Sequence, residues 1–271
     1  LFSLASFEAI LPLPLAFQTL PGTLAAARRL FDIVDSKPAV VDPIAPAETP
    51  SSFDIVIKDI SLSYPNSVKN ALESVSLDLP QGTHLALVGP SGSGKSTLVN
   101  ALMRFWPTES GEILLNGINI AQFSGDDLRA QFAVATQHST LFNSTIRRNL
   151  LLAKRDASDV EIQKACELAQ IHEFIGTLPD GYDTWIGEAG HKLSGGQIRR
   201  LGIARALLKP AAVLILDEPG EGLDSVTEEK MLRAITESKK GRSLILITHH
   251  LIGLEYMHQV VRLDQGHIVK A

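Results

Sequence analysis

The sequence is nearly devoid of cysteine. Cys166 is the only one, so no disulfide can form within the chain, and a reducing compartment is compatible with it. It lies in Val160-Glu-Ile-Gln-Lys-Ala-Cys-Glu-Leu-Ala169, on a predicted helix, and reads as a buried structural thiol rather than a reactive one. Long basic runs are also missing, and 25 lysines and arginines against 30 acidic residues leave a net charge of −5. A nucleic-acid binder usually carries a basic patch, so that class is set aside. No internal repeat is visible. The first 27 residues almost lack charge, with Glu8 as their only ionisable side chain. The chain does not open on methionine, and the expectation is a piece of a longer protein.

What is present is apolar. Hydrophobic residues make up 45% of the 271 positions, and the mean hydropathy is slightly positive. That is ample for a core and points to a membrane-facing portion. Leu1 to Ala27 is rich in Leu, Ala, Phe and Ile, and Arg28 and Arg29 follow at once. A signal peptide would carry basic residues before its apolar core. Pro12, Pro14 and Pro21 speak against one straight helix. The segment reads as the inner end of a last transmembrane helix with arginines at the cytoplasmic edge. A soluble amphipathic helix packed on the domain is the alternative. Ala25 to Val34 continues as helix, with Leu30, Phe31 and Val34 on one side. Four prolines and no periodicity between Lys37 and Pro50 mark a linker. The expected division is 1–36, 37–52 and 53–271.

Within the last part, Phe53 to Tyr64 alternates like a half-buried strand, with Phe53, Ile55 and Ile57 on one face. Val75 to Leu79 repeats the pattern before a turn at Gln81-Gly82. The apolar run Leu85 to Val88 then leads into Gly89-Pro90-Ser91-Gly92-Ser93-Gly94-Lys95-Ser96-Thr97, followed by helical spacing from Leu98 to Arg104. Strand, glycine-rich loop and helix together make G-x-x-x-x-G-K-[ST] a phosphate site. Backbone N–H groups curl inward, the helix N-terminus adds positive potential, Lys95 reaches the outer phosphates and Ser96 offers a hydroxyl to Mg²⁺.

Further strands are predicted over 112–115 and 132–136, the latter ending at Gln137. The pattern from Ser144 to Phe174 is helical, and Ser158 with Glu161 has capping-box spacing. Leu193-Ser194-Gly195-Gly196-Gln197 precedes a helix to Leu208. Ala212 to Leu216 is a strand buried on both faces that delivers Asp217 and Glu218 at its carboxyl end. Adjacent acids on a strand face opposite sides, which predicts different tasks for the two. Leu244 to Thr248 is another buried strand, ending at His249. A final strand pair joins across Gln265-Gly266.

Loop, Leu193–Gln197 string, acidic strand and late histidine, in that order, make residues 53–271 resemble the ATP-binding domain of ABC transporters. The resemblance implies a P-loop NTPase α/β core with a mixed, mainly parallel sheet, an antiparallel β subdomain and an α-helical signature subdomain. It implies ATP and Mg²⁺ as cofactors. Tyr64 would stack on adenine, although a plain strand-end tyrosine explains it equally well. Gln137 would reach Mg²⁺ or the attacking water, Asp217 would hold Mg²⁺, Glu218 would be the general base, and His249 would bond the γ-phosphate. His250 reads as structural. The Leu193–Gln197 signature would act on ATP bound by a second half-transporter, and Asp224 belongs to the loop facing that partner. Gly187 to Gly190 would contact the transmembrane coupling helices.

The run at 27–33, Glu218 to Asp224 and Thr248 to Gly253 are most similar to one half of heterodimeric cysteine/glutathione exporters serving cytochrome bd assembly. That implies a transmembrane domain ahead of Leu1, a small exported thiol and a place on the cytoplasmic face of the inner membrane. Two positions depart from the family pattern. Gly220 stands where threonine is commoner, and Glu221 replaces a small hydroxyl near the partner's site. A regulatory half that binds ATP without turnover, and a soluble non-transport ABC ATPase, remain as alternatives.

Overall fold

The computed structural model describes residues 13–65, 67, 69–190, 192–238 and 241–269. The chain divides into two compact units, Leu1–Val41 and Asp42–Ala271. Among the described residues the first holds helix α1 (Leu13–Val34), with Pro21 inside it. Pro14 falls in the first turn, where its missing N–H has no intrahelical partner to lose. Pro21 removes one interior donor, and the helix runs through both prolines. Pro12 lies outside the described residues. Leu15, Phe17, Leu24, Leu30 and Phe31 are exposed along α1. Among the described residues no helix is long and apolar enough to cross a membrane.

Among the described residues the second unit holds ten strands in two sheets. In chain order they are β1 (Ile55–Leu62), β2 (Leu72–Leu79), β3 (His84–Val88), β4 (Ser110–Leu115), β5 (Ile118–Asn119), β6 (Phe132–Ala135), β7 (Val213–Asp217), β8 (Ser243–Thr248), β9 (Gln259–Asp264) and β10 (His267–Val269). One sheet has the order β2-β1-β4-β5 and is antiparallel. The other has the order β10-β9-β3-β8-β7-β6. All its neighbours are parallel except the terminal hairpin of β9 and β10. The fold is therefore the P-loop NTPase α/β class the sequence implies, with the antiparallel sheet beside it. β1 keeps Ile55 and Ile57 inward, then bulges at Asp59, which takes φ 48, and resumes with Ile60 and Leu62 buried.

The helices of this unit are α2 (Lys95–Leu102), α3 (Gly125–Ala130), α4 (Ile146–Leu151), α5 (Asp159–Leu168), α6 (His172–Gly176), α7 (Gly195–Leu208) and α8 (Ser225–Glu237). Two corrections concern them. α2 starts at Lys95, not Leu98, so the loop passes straight into the helix. The predicted helical stretch 144–174 is three helices. α5 stops because Gln170 turns left-handed at φ 53, letting Ile171 N donate to Cys166 O at 2.9 Å. The short α3 and the long α8 carry no strong sequence signal beyond their caps, Ser124 and Asp224, whose side chains accept from the backbone of Asp127 and Thr227.

Strand alternation divides the core. In β7, Val213 and Ile215 pack with the antiparallel sheet and α2, while Leu214 and Leu216 pack with α4, α5 and α7; in β8, Ile245 and Ile247 separate from Leu244 and Leu246 in the same way. A strand covered on both faces needs apolar residues at every position, each fully buried one stabilising by roughly 1.5–3 kcal/mol. Cys166 is buried in the helical half, where burial pushes its thiol up to about 12. It is the inert structural group expected.

The capping box at α5 forms as predicted. Ser158 N donates to Glu161 Oε2 at 2.9 Å, and Glu161 N to Ser158 Oγ at 3.3 Å. The Lys154 ammonium, then the Ser158 backbone and hydroxyl, hold the Glu161 carboxyl down to about 2. Ser158→Ala should therefore destabilise the domain by about 1 kcal/mol. Because the folded carboxylate is depressed, its contribution is present above the unfolded value of 4.5 and is lost as pH falls through about 2. Denaturant titration of wild type and Glu161→Gln across that range checks this; a difference that does not shrink with falling pH contradicts it.

Candidate functional site

The parallel strands end on one edge. Register pairs Val88 with Thr248 and Asp217 with Ile247, so Gly89, Glu218 and His249 leave the sheet side by side. β6 ends near them and carries the chain to Gln137. This is where open parallel sheets place ligands.

The loop after β3 depends on missing side chains. Gly89 takes φ 150, and a Cβ there would lie 2.1 Å from Leu263 O. Gly94 takes φ 106, and a Cβ there would lie 2.6 Å from Ala71 O. Lys95 opens α2 with only 9% exposure. Its ammonium donates to Gly89 O and Pro90 O, both at 2.8 Å, which engages two of its three donors. A cleft of about 640 Å³ is lined by Gly89, Pro90, Ser91, Gly92, Gly94, Lys95, Ser96, Thr97, Gln137, Asp217, Glu218, Glu221 and His249, with Ala71 at its rim.

Asp217 and Glu218 share this cleft, which corrects the expectation that they face opposite sides. Asp217 ends β7 in extended backbone, whereas Glu218 turns left-handed at φ 49. That breaks the strand alternation, at a typical cost of about 1–3 kcal/mol for a side chain with a Cβ. Their surroundings still differ. Burial, then the Glu218 charge, raises the Asp217 carboxyl above the usual range, with Lys95 opposing. Glu218 is 12% exposed, and its Oε2 shares a 2.8 Å hydrogen bond with His249 Nδ1.

Gln137 and Glu221 form a second cluster. Gln137 Nε2 donates to Glu221 Oε2 at 3.0 Å, and Arg199 Nη2 donates to the same oxygen at 2.9 Å. Arg199 also donates from Nε and Nη2 to Gln137 O, at 3.2 and 3.1 Å. The Gln137 bond, then the Arg199 charge, lowers the Glu221 carboxyl. The sequence flagged Glu221 only as facing a partner; in the fold it lines its own chain's cleft. Nothing in the sequence ties it to Arg199, 22 positions away.

Other candidates stand apart. Tyr64 is half-buried, its hydroxyl 3.3 Å from Thr97 Oγ1 and its ring edge-on to Trp106, and it does not line the cleft. Ser93 is buried in the loop's curl with no protein partner for its Oγ. Ser194 caps α7, accepting from Gln197 N at 3.3 Å, while its own N donates to Gln197 Oε1 at 2.8 Å. Leu193 is partly buried against the helical core. Gly195 has open space around its Cβ position, whereas that of Gly196 is 3.2 Å from Gly222 O. Asp224 is held by Thr227, through the backbone N–H at 2.9 Å and the hydroxyl at 2.7 Å.

The donors suit a hard cation. Ser96, Gln137 and Asp217 offer oxygen ligands, and Asp217 is a carboxylate that burial penalises and a cation would relieve. Among the described residues no cluster of three acidic, histidine or cysteine groups could hold a metal by itself. Mg²⁺ takes one or two carboxylates plus waters and substrate phosphates, a set to which Asp217 and Ser96 could contribute.

The family model described as ABC transporter matches residues 72–221. The chain is 38% identical to the glutathione/L-cysteine transport system ATP-binding/permease protein CydC of Escherichia coli, over 99% of the chain and 46% of that protein. It is 42% identical to the ATP-dependent lipid A-core flippase of Vibrio vulnificus, over 91% of the chain and 42% of that protein. The solved structure of a bacterial Atm1-family ABC exporter with ATP bound superposes with a TM-score of 0.83 at 34% identity, over 97% of this chain and 46% of that one. The chain thus spans less than half the length of these relatives.

A raised carboxylate binds protons more readily folded than unfolded, so Asp217 weakens the fold most above its folded pKa, and the penalty fades as pH falls from there to the unfolded value of 3.8. Asp217→Asn should therefore raise the unfolding midpoint of the nucleotide-free protein at pH 7 and abolish the upward shift caused by Mg²⁺ with nucleotide. Thermal denaturation with and without Mg²⁺ measures both; a lower midpoint with the Mg²⁺ shift intact contradicts it.

Proposed function

The chain belongs to the ABC transporter family, and on that premise we propose that it is the ATP-binding and ATP-hydrolysing domain of an exporter, residues 53–271, reached through a linker at 37–52 from the cytoplasmic end of a last transmembrane helix at 1–36. The observation that carries this is the single cleft joining the phosphate loop, Asp217, Glu218 and His249.

The loop's N–H groups and Lys95 hold the ATP phosphates, with the start of α2 adding its positive end. Tyr64 lies outside the cleft, beside Thr97 of the loop, so its adenine contact requires the base to extend past the phosphate site toward it. Ser96, Asp217 and Gln137 would hold Mg²⁺, which would supply positive charge against the phosphates. Glu218 accepts a proton from the attacking water. His249, bonded to Glu218 at 2.8 Å, donates toward the γ-phosphate and orients that water. The segment Leu193–Gln197 and Asp224 face ATP held by a second half-transporter, so neither domain completes its site alone. Binding closes the pair, hydrolysis reopens it, and the membrane domains alternate access.

Identity with CydC over nearly the whole chain supports a finer reading. The chain is the CydC-like half of a cysteine/glutathione exporter needed for cytochrome bd assembly. It pairs with a CydD-like half, carries its own transmembrane domain ahead of Leu1 and sits on the cytoplasmic face of the inner membrane. Its similarity to lipid A-core flippases makes a lipid cargo the competing reading. ATPase stimulation of the reconstituted full transporter by cysteine or glutathione supports the thiol reading; stimulation by lipid A alone supports the other.

Glu218→Gln keeps shape and a hydrogen-bonding oxygen but removes charge and basicity. Hydrolysis in the full transporter should slow by roughly a hundredfold or more, with ATP affinity near normal. Lys95→Ala should lose most ATP binding instead. Phosphate release and nucleotide titration, side by side, separate the two. Unchanged turnover in the Glu218 variant would transfer the work to the partner's site and make this chain the regulatory half.

A further inference from the structure

Glu228 is an ionisable group that the proposed hydrolysis does not use, and its side chain is only 3% exposed. A buried carboxylate is costly unless paired. Both its oxygens lie 3.2 Å from His250 Nδ1. The carboxylate also fills the space beside Gly220, where a Cβ would lie 1.8 Å from Glu228 Oε1. Gly220 does not take a positive φ; it is glycine to make room for an acid, which accounts for the departure from threonine. His250 N donates to the buried Thr248 Oγ1 at 2.9 Å, which fixes its backbone. Its ring meets the ring of His249 edge-on, with centroids 4.3 Å apart and planes at 70°. His249, 58% exposed, in turn bonds Glu218. Glu218 on one side and the His250 ring on the other orient an otherwise solvated imidazole.

Resting on the hydrolytic reading of Glu218 and His249, we propose that Glu228 and His250 are positioning residues for hydrolysis: the buried Glu228 carboxylate anchors His250, and the His250 ring holds His249 against Glu218. Neither touches ATP. Their loss acts on turnover through the geometry of the His249–Glu218 pair.

The test uses the full transporter with its partner chain and reads kcat, KM for ATP and unfolding temperature. Glu228→Ala should lower kcat about tenfold with KM unchanged, and Glu228→Gln, which keeps the acceptor oxygen and the shape, should restore most of it. Gly220→Ala should act like Glu228→Ala by displacing the carboxylate. His250→Asn keeps a donor for Glu228 but removes the ring; it should lower kcat equally without lowering the unfolding temperature, and it remains informative if Glu228→Ala does not fold. In a His249→Ala background, Glu228→Ala should cost nothing more, because residues acting through one another are non-additive. Full kcat in His250→Asn, or an undiminished Glu228→Ala effect without His249, overturns the proposal. Glu218→Gln is the control. If it slows hydrolysis while the Glu228 and His250 variants do not, only the positioning role fails; if it leaves turnover unchanged, the hydrolytic reading fails first.

Discussion

The structure depends on how closely backbone approaches backbone around the phosphate loop. Leu263 of β9 and Ala71, just before β2, press on the loop where Cβ atoms at Gly89 and Gly94 would stand 2.1 and 2.6 Å from their carbonyl oxygens. Gly266 N donates to Ser93 O at 3.0 Å, and Glu73 N to Gly266 O at 2.9 Å. The loop is therefore clamped between the parallel sheet and the antiparallel one. A cradle of N–H groups held this way needs no side chain to keep its shape, and little order is left to impose when an anion arrives. It also fixes where α2 begins, and thus where Lys95 and Ser96 stand.

The rest of the cleft follows from parallel register. Three strands ending level put a loop, an acidic pair and a histidine on one edge. The left-handed turn at Glu218 then brings two adjacent acids into one space without giving them one environment. Asp217 stays in the sheet's buried end, where a cation is its natural partner. Glu218 swings out to hydrogen-bond His249. Local backbone strain at this point gives the two acids different surroundings, as the proposed metal-holding and proton-accepting roles require.

Sequence made legible whatever is local and repeated along the chain. The loop, the strand runs at β7 and β8, the Ser158–Glu161 box and the final hairpin all rest on patterns a few residues long, and the core division follows from period-two alternation. The start of α2 was misplaced because loop and helix share residues. The Ser158 cap announced the start of α5, but the break between α5 and α6 was missed because Gln170 is no glycine to announce a left-handed cap. What stayed hidden is long-range. Gln137 meets Glu221 across 84 positions, and both departures from the family pattern look arbitrary until their neighbours appear: Glu221 answers Arg199, and Gly220 answers Glu228.

Those two departures lie in the same short turn, Glu218 to Asp224, between β7 and α8. Glu221 ties that turn to Arg199 on α7 and to Gln137 after β6. Gly220 and the start of α8 tie it to His250 after β8 through Glu228. The Cβ position of Gly196 at the start of α7 is 3.2 Å from Gly222 O in that turn. A shift of α7 must therefore break the Arg199–Glu221 pair or carry the turn with it. Since the Arg199 side chain is only 12% exposed, breaking the pair leaves a half-buried cation without its counter-charge, held by the Gln137 carbonyl alone. Carrying the turn is the softer course, and the turn begins at Glu218.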